Sequence, residues 1–157
     1  MEIERKYLVA TLPADIDAYP HTDIEQAYLC TSPTLRIRRA GEAYILTVKQ
    51  RLQPQGDASS AIVNREEEFS LSSEAYATLK AKCEGCMVSK TRYQIPLAGG
   101  LTAELDLFHG AHEGLQLVEV EFPSLSEADH FQPPAWFGQD VSADPRYRNS
   151  WLAHNTH

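Results

Sequence analysis

The sequence predicts an α+β, mainly β domain built from antiparallel strands with a few short helices. Three observations lead there. Eight short segments have strand character, and two of their connections are so short that the joined strands must be antiparallel neighbours. Helical signals are confined to three brief stretches. Finally, like charges recur two residues apart in single-sign pairs: Glu2/Glu4, Arg36/Arg38, Glu66/Glu68, Lys90/Arg92, Glu104/Asp106 and Glu119/Glu121. Side chains at i and i+2 share one face of a strand, so each pair sets two like charges side by side. Neighbours of this kind repel unless ions lie between them. Sorting by sign therefore points to a site for a metal and a multiply charged anion.

The strands are expected, in order, at Glu2–Val9, Ile24–Cys30, Leu35–Ala40, Ala43–Lys49, Val63–Leu71, Met87–Ile95, Thr102–Phe108 and Leu115–Phe122. Little more than Gly41-Glu42 separates the third from the fourth, a tight hairpin, and Leu97-Ala98-Gly99-Gly100 turns the sixth into the seventh. Ser72 or Ser73 caps a helix over Glu74–Lys82 with Ala75, Tyr76 and Leu79 on its apolar side. Ser124-Leu-Ser-Glu127 is a capping-box pattern opening a short helix to about Phe131. Asp144-Pro145 supplies an N-cap and a first-turn proline for a C-terminal helix through Ala153. Arg51–Ala61, with Pro54, Gly56, Asp57 and two serines, reads as a loop.

Along the strands one face is charged and the other apolar. Leu101, Ala103, Leu105 and Leu107 oppose Glu104 and Asp106; Val118, Val120 and Phe122 oppose Glu119 and Glu121; Leu35 and Ile37 oppose the two arginines. Two architectures satisfy this. A half-exposed sheet or sandwich is the default and leaves the charges wet. A closed barrel would hold them inside with helices covering the apolar outside. The sign segregation pulls against the first, since a wet face has no reason to sort acids from bases, but on the residues alone the half-exposed sheet stays the default.

Composition bounds the function. The 157 residues, 43% hydrophobic and 23% charged, suit one globular domain, expected to span 1–157. The net charge of −8 argues against nucleic acid as a partner, though a local basic cluster can still hold an anion. No membrane partner is expected, for the apolar runs fall well below the ~20 residues of a spanning helix, and a cytoplasmic location follows by default. Cys30, Cys83 and Cys86 suit a reducing compartment; one Cys83-x-x-Cys86 cannot close a four-ligand zinc site, and loop cysteines are the simpler reading. The six histidines show no paired helical spacing, and His154 and His157 sit near the end, where ragged surface is the ordinary outcome.

The opening Glu2-Ile-Glu4-Arg-Lys6 has the form ExExK, and there follow in order Leu35-Arg-Ile-Arg38, Leu46-Thr-Val-Lys49, Glu66-Glu-Glu68, Lys90-Thr-Arg-Tyr93, Glu104-Leu-Asp106 and Val118-Glu-Val-Glu121. This ordered set resembles the CYTH family, the triphosphate tunnel metalloenzymes, over essentially the whole chain. Trp136-Phe-Gly138, Val141-Ser142 and Tyr147-Arg-Asn149 are similar to the ending of its short bacterial members. The resemblance implies an eight-stranded antiparallel β-barrel, a tunnel with a charged lumen and helices packed outside. It also implies a small-molecule triphosphate as substrate and a divalent metal. Similar short members are typically inorganic triphosphatases that cleave tripolyphosphate to pyrophosphate and phosphate. One departure stands out: where the family usually has an arginine two positions before the central Glu-x-Glu, this chain has Asn64, and Arg65 next door belongs to the other face.

The residue chemistry agrees. Triphosphate carries a charge of roughly −4 to −5 near neutrality, on oxygens that take hard cations and hydrogen-bond donors. Lys6, Arg36, Arg38, Lys49, Lys90 and Arg92 are the expected substrate-binding residues, arginine giving two-point contacts and lysine a point charge. Glu2, Glu4, Glu119 and Glu121 are the expected ligands of Mg2+ or Mn2+, in an arrangement of two ions, with Glu68 a further candidate ligand. Glu66, Glu68, Glu104 and Asp106 would position the bases. Glu2, Glu4, Lys6 and Lys90 are the expected catalytic groups. Tyr28 in Gln26-Ala-Tyr28-Leu29 resembles a family tyrosine regarded as a proton acceptor and so joins the expected catalytic groups, although a packed or substrate-neighbouring aromatic is the favoured role, since an unperturbed phenol has a pKa near 10. Arg5 and Arg39 alternate out of register and are expected to be solvated, and Trp136 and Trp151 to serve packing.

Two other functions fit the same charges. An adenylyl cyclase or a nucleoside or thiamine triphosphatase would use the same tunnel, but a cyclase needs a nucleoside pocket that no sequence feature announces. A non-catalytic polyphosphate- or nucleotide-binding module would not need so many carboxylates. The oligomeric state is open, a homodimer among the options.

Overall fold

The computed structural model describes residues 1–52 and 61–155. Nine strands and three helices run β1 (Glu2–Val9), β2 (His21–Thr31), β3 (Thr34–Ala40), β4 (Ala43–Arg51), β5 (Ile62–Ser70), α1 (Ser73–Lys80), β6 (Glu84–Pro96), β7 (Thr102–His109), β8 (Gln116–Glu121), α2 (Leu125–Asp129), β9 (Phe137–Asp140) and α3 (Asn149–Leu152). The first eight strands pair antiparallel in the order β5-β4-β3-β2-β6-β7-β8-β1, and β1 returns to β5, so the sheet closes into a barrel. All eight predicted strands are present, several longer than expected. The predicted loop lies outside the described residues at 53–60, as does His157, and Arg51 at its start belongs to β4.

The ninth strand was not anticipated. β1 pairs with β5 through Glu2, Ile3 and Glu4, and then β5 diverges. The edge so released, Tyr7 to Val9, is taken by Asp140 and Phe137 of β9. Ser142 completes the edge: its Oγ accepts from Lys6 N at 2.8 Å, and Val141 N donates to Lys6 O at 2.8 Å. The backbone N–H and carbonyl of buried Lys6 are thereby both satisfied, as a buried position requires.

Outside the barrel the apolar face is covered in two places. Ile3, Tyr7, Val63, Leu105, Val118, Val120 and Phe122 pack with Ala128 of α2 and Phe137 of β9. Arg5, expected in solvent, instead ties this cover down: its guanidinium donates to Asp140 at 2.6 and 3.2 Å and to Ala128 O at 2.8 Å, so it lies half-buried. Around Ala27 and Ile37 the cover is α1, capped by Ser72 (Oγ accepts from Ala75 N, 3.0 Å) and anchored by Tyr76. Cys86 falls within β6 and not in a loop, and all three cysteines are free thiols.

The C-terminal helix is broken. Asp144 accepts from Arg146 N and Pro145–Tyr147 forms a single 3-10 turn, but Arg148 is extended (φ −75°, ψ 138°) before α3 resumes. The break turns the Tyr147 carbonyl away from the helix, where Lys6 Nζ donates to it at 2.9 Å. Leu152 and Ala153 then pack against Tyr28, Val88, Phe108 and Leu117, with Leu8 beside them. These residues continue the inward face of their strands, in phase with Gln26, Lys90, Asp106, Glu119 and Lys6. The lumen is therefore charged along its middle and apolar at the end where the C-terminal segment sits. No helix among the described residues is long and apolar enough to cross a membrane.

Candidate active site

The strand parity that closes the barrel brings the six charge pairs to one interior. A cavity of about 920 Å³ is lined by Glu2, Glu4 and Lys6 of β1, Arg36 and Arg38 of β3, Lys49 of β4, Glu66 and Glu68 of β5, Arg92 of β6, Glu104 of β7, and Glu119 and Glu121 of β8. Tyr28 lies on the same wall. Arg39 and Arg65 face outward and are exposed, as their phase requires.

Acids and bases interlock. Lys49 Nζ is 3.0 Å from Glu2 and Lys6 Nζ 3.3 Å from Glu119, while Arg36 stands 3.9 Å from Glu66 and donates to Thr47 Oγ1 at 3.2 Å. Arg92 holds Asp106 through two bonds of 2.7 and 2.9 Å and reaches Glu104 at 3.1 Å. Arg38 donates twice to the amide oxygen of Gln26, at 3.0 and 2.9 Å, and Gln26 Nε2 donates in turn to the Tyr28 hydroxyl at 3.1 Å. Of the expected substrate-binding residues, Lys90 alone is set back from the cavity wall. It is fully buried, with Nζ 2.8 Å from Asp106 and 3.1 Å from Asn149 Oδ1 of the C-terminal segment.

Electrostatically the wall is uneven. Burial, then the lysine and arginine charges led by Lys6, act on Glu119, and the bases win, holding it well below the usual carboxylate range. Glu4 goes the other way: burial and the charges of Glu119 and Glu2 push it up to about 8. Glu66 is likewise pushed up to about 8 by burial and its contact with Glu2. Burial pushes the Lys90 ammonium down to about 7 against the pull of Asp106. The interior thus holds carboxylates that its own bases do not fully neutralise.

A hard divalent cation fits that donor set, because Mg2+ and Mn2+ take carboxylate oxygens and would relieve the crowding at Glu4. As the side chains stand, no three acids among the described residues converge on one point; Glu2 and Glu119 are engaged by lysines. Glu2, Glu4, Glu119 and Glu121 nevertheless belong to a single strand pair, with Glu4 directly opposite Glu121. An anion also has a place: Arg36 Nε is buried without an acceptor among the described residues, a donor that a phosphate oxygen would satisfy.

No protein-family model matches the chain. Two relatives do. It is 41% identical over 157 residues to an inorganic triphosphatase of Nitrosomonas europaea, covering 97% of this chain and 96% of that one. The chain belongs to the CYTH family of triphosphate tunnel proteins. It is also 33% identical over 161 residues to an inorganic triphosphatase of Acetivibrio thermocellus, covering 98% and 94%. The crystal structure of the inorganic triphosphatase NE1496 superposes on this CYTH chain with a TM-score of 0.70 at 38% identity, covering 99% and 95%. A putative adenylyl cyclase from Hippeastrum, described as having a dominant triphosphatase activity, has the same fold (TM-score 0.62, 15% identity, 81% and 82% covered).

Three contributors to the site were missed in the sequence. Asn149 meets Lys90 and the Tyr147 carbonyl meets Lys6; the signal was the Tyr-x-Asn ending, noted for its resemblance but given no contact. Gln26, central to the link between Arg38 and Tyr28, was quoted only as part of its motif.

Proposed function

We propose that the chain hydrolyses inorganic triphosphate to pyrophosphate and phosphate within the barrel, with Mg2+ or Mn2+ as cofactor. The observation that carries this reading is Glu4, a carboxyl only 9% exposed that lies directly opposite Glu121 across the strand pair and feels the charges of Glu119 and Glu2. A merely structural interior gains nothing from crowding buried acids; a lumen that receives cations does. The activity named for both relatives agrees with the reading.

In this reading Lys6, Arg36, Arg38, Lys49 and Arg92 receive the phosphate chain along the wall and neutralise its charge. Each is aimed by a partner already in place: Glu119, Thr47, Gln26, Glu2 and Asp106 respectively. Pre-aimed donors need little reorganisation when charge develops on the phosphoryl oxygens. Glu2, Glu4, Glu119 and Glu121, with Glu68 nearby on β5, would hold the divalent ions, which when bound would offset phosphate charge and acidify water. Glu2 and Glu4 orient the attacking water. The proton it loses passes to a carboxylate of this wall, beside which stands the Tyr28 hydroxyl, whose oxygen accepts from Gln26. Lys90 acts from behind, fixing Asp106 and through it Arg92.

The test is phosphate release from tripolyphosphate, ATP, thiamine triphosphate and pyrophosphate, each with Mg2+ and Mn2+, alongside an assay of cyclic AMP formation from ATP. Rapid release from tripolyphosphate alone is the expected result. Cyclic AMP formation, or tight binding of tripolyphosphate without release, would replace the reading.

A further inference from the structure

Arg51 ends β4 two residues beyond Lys49, on the same inward face, and lines the cavity. None of the roles above uses it. Its cross-strand partner is Asn64, which stands in turn opposite Glu2. Asn64 is buried, uncharged, and committed to Glu2, to which Nδ2 donates at 3.3 Å. The wall position where the family pattern led one to expect a base is therefore neutral on β5, and a guanidinium flanks it on β4.

Arg51 also differs in its company. Lys6, Arg36, Lys49, Lys90 and Arg92 each have a carboxylate within 4 Å, whereas no ion pair among the described residues includes Arg51. After burial, the strongest influence on its guanidinium is another base, Arg148, and together they hold it below the ordinary arginine range. Arg148 is exposed on the extended residue between the 3-10 turn and α3, and lines the same cavity. Two guanidinia thus face one space from separate segments, with no ion pair to either among the described residues and only the more weakly acting charge of Glu4 to offset Arg148 at Arg51. Like charges kept close and unpaired are costly unless an anion lies between them, and guanidinium matches phosphate in two-point geometry.

We infer that Arg51 is a phosphate-binding residue of the tunnel, acting with Arg148 as a second jaw and doing from β4 what Asn64 cannot do from β5. The inference rests on reading the lumen as a triphosphate site and adds the residue that seats one phosphate of the chain. Because no ion pair or side-chain hydrogen bond among the described residues includes either guanidinium, their contribution is to substrate affinity rather than to the folded state.

The experiment compares R51Q, R51K and R148Q with the parent chain in steady-state phosphate release from tripolyphosphate under saturating Mg2+. Melting temperature and calorimetric binding of tripolyphosphate in EDTA are measured beside it. R51Q should raise KM about tenfold, leave kcat within about twofold and keep the melting temperature; R51K should recover part of the loss, and R148Q should shift KM in the same direction. Unchanged KM and binding in R51Q, or a fall confined to kcat, overturns the inference while leaving the triphosphatase reading intact. If the parent chain releases no phosphate, that reading fails, and the titration alone decides: binding weakened about tenfold in R51Q supports Arg51 as an anion contact, and equal binding refutes it.

Discussion

The ammonium of Lys90 lies 2.8 Å from the carboxylate of Asp106, and neither side chain is more than 1% exposed. Asp106 also accepts two bonds from Arg92, so one carboxylate compensates two buried cations. Removing one member of a buried ion pair leaves its partner uncompensated, typically at about 3–5 kcal/mol.

Asp106→Asn should therefore be among the most destabilising single changes in the barrel, lowering the unfolding free energy by about 3 kcal/mol or more in urea titration. Glu104→Gln makes the control. Glu104 also pairs with Arg92, but it is partly exposed, and its loss should cost no more than about 1 kcal/mol. Equal effects for the two variants would mean that depth in the wall does not decide the energetics.

Glu4→Gln should separate stability from activity. The carboxyl is disfavoured in its charged form by burial, Glu119 and Glu2, so a neutral isostere relieves repulsion and the metal-free protein should melt at the same temperature or higher. Phosphate release from tripolyphosphate should fall by about two orders of magnitude or more, the scale of losing an aimed electrostatic group. Near-normal turnover in this variant would remove Glu4 from the site.

The pH dependence of the metal-free protein follows from the same wall. Glu4 and Glu66 are raised from 4.5 to about 8. Between those values the folded state binds more protons than the unfolded chain, so stability must fall as pH rises from about 5 to 8. Glu121, raised in the same direction, adds to the fall. Glu2, Asp106 and Glu119 are lowered and exert their effect below this window. Lys90, lowered to about 7, opposes the trend above that pH, because there the unfolded chain holds the extra proton. Melting curves in EDTA should decline from pH 5 to 7 and flatten toward 8, and Mg2+ should remove most of the decline. A metal-free melting temperature that climbs across pH 5–7 would contradict these assignments.

The charged middle of the lumen was legible because it depends only on period two. Once Glu2, Glu4 and Lys6 share a face, closure decides merely whether that face is inside; the sign sorting pulled that way, and the family resemblance decided it. Depth was not legible. Lys90 and Lys49 have the same phase, yet Lys49 lines the cavity and Lys90 lies behind it, because only the C-terminal segment brings Asn149 over the Lys90 amine. The apolar end was hidden for a related reason. Leu8, Val88, Phe108 and Leu117 continue the inward phase with the wrong polarity for a wet tunnel, and they make sense only against Leu152. β9 has four residues and no periodicity of its own; it is a strand because β5 leaves an edge of β1 open. Arg5 was misplaced in solvent since its partners, Asp140 and the Ala128 carbonyl, are more than 120 residues away.

Leu152 supplies the last prediction. It is fully buried among Tyr28, Val88, Phe108 and Val141, and it belongs to the segment that delivers Tyr147 to Lys6 and Asn149 to Lys90. Leu152→Ala opens a cavity at a tightly packed end and should cost about 2–5 kcal/mol. Asn149→Ala removes only a hydrogen bond to the charged Lys90 amine, a loss of about 1.5–3 kcal/mol. If the segment positions Lys90 as well as covering the lumen, the two variants should diverge in kinetics. Asn149→Ala should shift the alkaline limb of the pH profile for phosphate release, which Leu152→Ala, measured well below its melting temperature, should leave in place. Identical pH profiles for both variants and the parent would reduce the C-terminal contact with Lys90 to packing alone.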